Sequence, residues 1–269
     1  MDSGFVETVG ARLHYSIGGE GPAVVFIHAG VADSRMWLDQ IGGLANAYTV
    51  AAFDQRGFGR TDFDPVPYAD RDDVIAVMDH LGLDQAVLVG CSMGGDIALQ
   101  TALQSPTRVI GLVLVGAAAP GWEPANGWNE PPQEDEAIAA LRAGDIQRCV
   151  LLEAEVWLAG VGRTLGQIDP DLLATFIDMD TKPNLTYPDR AKLPIPFDGV
   201  VDERLDEIAV PCLVVVGEHD LPDVIESAGY LARRLSDQPE VVILGAAHLP
   251  SFEKPAEFNQ VMRRFLATV

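Results

Sequence analysis

At 269 residues with 48% hydrophobic content, the chain suits one large domain or a core plus an insertion, and two independent domains are not expected. A formal net charge of -22 argues against nucleic acid and membrane surfaces as partners, since both call for basic patches, and it favours solubility. The start Met1-Asp2-Ser3-Gly4 has no basic cluster followed by an apolar run, and no segment approaches ~18 uninterrupted apolar residues, so the expected location is cytoplasmic. Phe5 to Val9 and Arg12 to Ile17 read as an antiparallel hairpin around Gly10. Ala23 to Ile27 is a continuous apolar run, as in a strand buried on both faces, and it ends at His28-Ala29-Gly30. Ser34 to Leu44 reads as a helix, Thr49 to Phe53 as a buried strand ending in Asp54-Gln55-Arg56-Gly57-Phe58-Gly59, and Ala69 to Leu81 as a helix closed by Gly82.

The next strand, Ala86 to Val89, leads into Gly90-Cys91-Ser92-Met93-Gly94 and at once into a helical pattern that stops at Ser105-Pro106. A sharp turn between strand and helix strains its central residue, so the positions two before and two after it must lack side chains. Ser92 fits, bracketed by Gly90 and Gly94. Centring on Cys91 would place Val89 and Met93 there, and neither is small. Val109 to Val115 is another strand, and alternating strands and helices imply a mainly parallel sheet with ligands beyond its carboxyl edge.

From about Gly121 the alternation fails. Pro120, Pro124, Pro131 and Pro132 break the chain, and Glu134 to Ala143, Gln147 to Leu158 and Asp171 to Met179 read as helices without intervening strands, which marks an insertion. The proline-rich stretch from 183 to 196 leads out of it. Cys212 to Val216 resumes the sheet, followed by helix Asp223 to Leu235, strand Val241 to Leu244 and helix Ala256 to Leu266. Cys91, Cys149 and Cys212 are odd in number, far apart and set among apolar residues, so reduced buried thiols are expected, with no disulfide framework or metal cluster.

A serine hydroxyl needs a base, usually histidine, and the histidine needs an acceptor that fixes its tautomer. In enzymes built on such an elbow the chain order is serine, acid, histidine. Gly217-Glu218-His219-Asp220 follows a strand, and His248 is the one histidine beyond it. The order selects Ser92, Asp220 and His248, with Glu218 and Asp223 as weaker choices for the acid. Gly116-Ala117-Ala118-Ala119, after the strand ending at Val115, offers none. Backbone amides at a turn suit a developing oxyanion: Met93 supplies one, and Gly30 or Val31 the second. His28 reads as a loop-packing residue, the Asp54 to Gly59 segment as a capped turn beneath the elbow, and Asp96 as a carboxylate at the positive end of its helix.

These motifs resemble those of the α/β-hydrolase fold superfamily over nearly the whole chain: Gly90 to Gly94 its nucleophile elbow, Asp54 to Gly59 its structural turn, Gly217 to Asp220 its acid loop and Ala247-His248-Leu249-Pro250 its histidine loop. The style is similar to bacterial enol-lactonases and small-molecule carboxylesterases. The resemblance implies an α/β fold with a mostly parallel eight-stranded sheet, a core of residues 1–120 and 207–269, and a helical cap of residues 121–206. One departure is His28-Ala29-Gly30, where the family has His-Gly. The elbow serine tells against the branches of this fold that place aspartate there.

The expected function is cofactor-independent hydrolysis of carboxylic esters or lactones of small, largely apolar molecules through an acyl-enzyme. Trp122, Trp128, Trp157 and Phe176 are candidates for the pocket, and Arg142 or Arg163 for a local reversal of the negative field. A carbon–carbon bond hydrolase of ring-cleavage diketones shares the triad and is the alternative among enzymes, with a perhydrolase third. A ligand-binding receptor or regulator on the same fold is the alternative outside enzymes. A homo-oligomer is left open.

Overall fold

In the computed structural model, which describes residues 1–128, 131–190 and 192–269, the opening hairpin is β1 (Asp2–Thr8) and β2 (Ala11–Gly18), paired antiparallel. The strands β3 (Ala23–Ile27), β4 (Thr49–Phe53), β6 (Ala86–Cys91), β7 (Val109–Val115), β8 (Cys212–Gly217) and β9 (Val241–Ile243) pair in parallel, in the spatial order β1-β2-β4-β3-β6-β7-β8-β9. β2 runs antiparallel to its neighbours. A short β5 (Asp62–Phe63) pairs with β2 and makes the sheet nine-stranded, one more than the sequence pattern predicts, because two residues are too few to carry a period.

The continuous apolar runs have the expected cause. Along β3 and β6, Val25, Ile27, Ala86 and Leu88 enter one hydrophobic cluster, while Val24, Phe26, Val87 and Val89 enter a second on the opposite face. Helices α2 (Asp70–His80), α3 (Met93–Gln104) and α7 (Pro222–Leu235) cover the first cluster through Val77, Ile97 and Leu231. Helices α1 (Leu38–Leu44) and α9 (Pro255–Leu266) cover the second through Ile41 and Phe258, and the one-turn helix α8 (Pro250–Glu253) leads into α9.

Between β7 and β8 lie α4 (Pro132–Arg142), α5 (Ile146–Glu153) continuing into a π-helical turn over Ala154–Ala159, and α6 (Pro170–Arg190). The sequence pattern ends this last helix at Met179 and treats Pro183 as a break. The helix instead runs on, because its far end is bonded to the core: Lys182 Nζ donates to the carbonyls of Gly59 (2.7 Å) and Thr61 (2.9 Å), and Thr186 Oγ1 to that of Gly57 (2.9 Å). Those bonds offset the amide that proline removes. The proline-rich exit beyond it includes residue 191, which lies outside the described residues.

The strand order places the site. After β3 the chain moves toward β4 on one side, and after β6 it moves toward β7 on the other, so a crevice opens beyond the carboxyl ends of β3 and β6. In the parallel pairing Ile27 lies beside Gly90, which brings the segments that begin at His28 and Ser92 together.

Candidate active site

Ser92 is the single non-glycine residue with positive φ among the described residues, at φ 52° and ψ -117°. Its backbone N–H donates to the Val115 carbonyl at 2.8 Å, which ties the apex of the turn to β7. Both bracketing glycines are required by close backbone approach. A Cβ on Gly90 would lie 2.1 Å from the Gly94 carbonyl oxygen, and one on Gly94 would lie 2.2 Å from that of Ile27. No side chain fits at either place, so strand, turn and helix are held in one geometry, which sustains a strained φ at an apex.

Ser92 and His248 line the same cleft, of about 430 Å³. His248 is buried, and its Nδ1 lies 3.0 Å from both carboxylate oxygens of buried Asp220, whose Oδ1 also accepts the Leu221 N–H at 2.8 Å. With Nδ1 on a carboxylate, the ring is oriented through that nitrogen and Nε2 is left for a second partner. Glu218, the weaker choice for the acid, accepts the Gly245 N–H at 2.8 Å, and Asp223 sits in the first turn of α7. A Cβ on Gly116 (φ +53°) would lie 3.1 Å from His248 Nδ1 and 3.2 Å from Asp220 Oδ2, so the main chain after β7 closes over the His–Asp bond.

Met93 opens α3, where the first N–H groups have no acceptor within the helix. A Cβ on Gly30 would lie 3.8 Å from Met93 Sδ, so these two residues are neighbours across the β3–β6 crevice. Ala29 is fully buried in the second cluster, and its carbonyl accepts the Ala32 N–H at 3.2 Å and lies 2.8 Å from His28 Nδ1. The methyl group is part of the core, and the loop turns around that carbonyl. His28 Nε2 accepts the Gln55 N–H at 3.0 Å, a packing role in the loop.

Of the aromatic candidates, Trp122, Trp128 and Trp157 line the cleft, and the Trp157 ring lies 4.5 Å from that of His248. Phe176 does not. It is fully buried in the second cluster, on a helix that packs against α5 and the π-helical turn, and belongs to the core. Neither arginine named for field reversal lies in the cleft: Arg142 is exposed on α4, and Arg163 binds the Ala159, Leu158 and Gly245 carbonyls and the buried Glu253.

The structure adds lining that sequence reasoning did not assign. Gly116 to Gly121 forms one wall with Val224, and Asp96 lines the cleft one helical turn after Ser92. The small-residue run after Val115 was a visible signal for the wall. Asp96 gave none beyond its place in the helix. Burial raises its carboxyl to about 6, against the opposing effect of a 2.8 Å bond from Gln100 Nε2. Cys91 is buried, and burial pushes its thiol well up, with the Asp220 carboxylate adding to the effect. Among the described residues, no three His, Cys, Asp or Glu side chains converge as metal ligands.

Comparison with known proteins agrees with this architecture. The chain is 27% identical to 3-oxoadipate enol-lactonase 1 of Acinetobacter baylyi, over 97% of this chain and 95% of the relative. It is 29% identical to a putative carbamate hydrolase, RutD, of a Caulobacter species, over 99% and 98% of the two chains. The solved structure of Est816, described as an N-acyl homoserine lactone degrading enzyme, superposes with a TM-score of 0.79 at 32% identity, covering 97% of this chain and 100% of that one. The model of the alpha/beta hydrolase family matches residues 24–261, and the chain belongs to that family.

Proposed function

We propose that the protein is a serine hydrolase that cleaves carboxylic ester or lactone bonds of small molecules through an acyl-enzyme. The observation that carries this is the strained Ser92 sharing one cleft with a histidine whose Nδ1 lies on a buried carboxylate. Ser92 Oγ attacks the carbonyl carbon while His248 Nε2 takes its proton, and Asp220 keeps the imidazole oriented and stabilises its charged form. The N–H of Met93, with that of Gly30 or Val31, stabilises the oxyanion. The alcohol leaves with the proton from His248. Water, activated by the same histidine, then releases the acid and restores Ser92. In a lactone the alcohol and acid stay joined, so a single hydroxy acid results.

The helices of residues 121–206 act as the cap, with Trp122, Trp128 and Trp157 facing the substrate. Ester and lactone bonds are preferred to carbon–carbon bonds because the relatives include an enol-lactonase and a lactone-degrading enzyme. The test is labelling with a fluorophosphonate, followed by turnover of a panel of esters and lactones. A single adduct on Ser92, lost in Ser92→Ala, is expected, and ester turnover in His248→Ala should fall by about 10⁴-fold or more. An adduct that survives Ser92→Ala, or undiminished turnover in His248→Ala, would overturn the assignment.

A further inference from the structure

Among the described residues lining the cleft, Asp96 is the one Lys, Arg, Asp or Glu. It lies in the first turn of α3, the helix that Ser92 precedes, and it lines the same cleft as Ser92. Gln100 Nε2 holds Asp96 Oδ1 at 2.8 Å, and no described residue donates to Oδ2. Arg71 reaches Gln100 Oε1 at 3.4 Å and also donates to Gln104 and to the Ile195 carbonyl. A favourable place at a helix N-terminus explains a carboxylate in the first turn, but does not require that carboxylate to line the cleft. Three tryptophans line the same space, and their ring faces attract cations.

We propose that Asp96 is a specificity-determining residue, which makes the cleft favour ester or lactone substrates bearing an ammonium group over those bearing a second carboxylate. This rests on the serine-hydrolase reading above. A carboxylate in the substrate would share a part-buried space with Asp96 and no compensating lysine or arginine. An ammonium group in the same position gains from both Asp96 and the indole faces. With its carboxyl near 6, Asp96 is ionised in mildly alkaline solution, which is where the discrimination is read.

The experiment uses three p-nitrophenyl esters of matched acyl length at pH 8: one ending in methyl, one in carboxylate and one in trimethylammonium. Values of kcat/KM are measured for the wild type, Asp96→Asn and Asp96→Ala, each normalised to the fraction labelled by fluorophosphonate. The readout is the ammonium-to-carboxylate ratio within each protein, so a general loss of activity cancels. A wild-type ratio above one that drops about tenfold in the substituted proteins is expected, the size of one charge–charge interaction in a part-buried site. The long-range field stays nearly constant, since each substitution changes one charge in a net -22. A ratio unchanged in whichever variant folds overturns the role of Asp96. No turnover of any ester and no adduct on Ser92 overturns the hydrolase reading itself, and that failure shows before any ratio is taken.

Discussion

Asp54 Oδ1 accepts the Ser34 N–H at 2.9 Å, and its Oδ2 accepts the Arg60 N–H at 2.8 Å and lies 3.1 Å from His14 Nδ1. Burial alone would raise this carboxyl, but those bonds outweigh it and hold the group below the ordinary carboxylate range. A depressed folded value stabilises the fold fully above the unfolded value of about 3.9, and the contribution is lost as pH falls through the folded value. Asp54→Asn is therefore expected to be about 2 kcal/mol less stable than wild type at pH 7. The gap should narrow as pH drops below about 4, which urea melts across a pH series will read. A gap independent of pH would mean that shape rather than charge matters there. The place of Ser92 was legible because two glycines bracket it and the strand stops before it. The neighbourhood of Asp96 was not, since a cleft wall is assembled from segments far apart in the chain while its helix position has a sufficient local explanation. Phe176 illustrates the same limit: an aromatic in a helical pattern does not disclose which neighbour that face meets.

Strands and helices of the sheet core were readable from apolar runs and their period, mostly within a residue or two at their ends, although β1 begins at Asp2, three residues before Phe5. The departures come where tertiary bonds override local preference. α6 passes Pro183 because Lys182 and Thr186 are bonded to the turn at Gly57–Thr61. A related tie fixes the end of the π-helical turn. Arg163 Nη1 donates to the Gly245 carbonyl at 2.8 Å, and its Nη2 pairs with Glu253 at 2.8 Å, while Glu253 Oε1 accepts the Ala247 N–H. Arg163→Ala leaves a buried carboxylate without its cation and is expected to cost about 3 kcal/mol in urea melts. It should also speed hydrogen exchange in the segment Gly245–His248 and lower kcat. Arg142→Ala, at an exposed site on α4, should stay within about 0.5 kcal/mol of wild type. Equal effects of the two substitutions would show that the Arg163 contacts contribute little.

For the molecule as a whole, a net charge of -22 sets the acidic residues against one another in the folded state. Raising ionic strength from about 0.02 to 0.2 M shortens the screening length and is expected to raise Tm by about 2–4 °C, the effect of roughly 1 kcal/mol in a chain of this length. Scanning calorimetry at fixed pH checks this, and a falling Tm would indicate that attractive ion pairs dominate. The inserted helices have a further bearing on how such a protein can be altered. The Trp157 carbonyl accepts the His248 N–H at 3.3 Å, the Val161 N–H donates to the His219 carbonyl at 2.7 Å, and Arg163 holds Gly245. The inserted segment that brings Trp157 to the cleft is thus also the splint that sets two of its loops. Insertion and sheet are not interchangeable cassettes: a chimaera carrying a relative's insertion would import a foreign splint along with foreign cleft-lining residues. Substrate range is better retuned one cleft-facing side chain at a time.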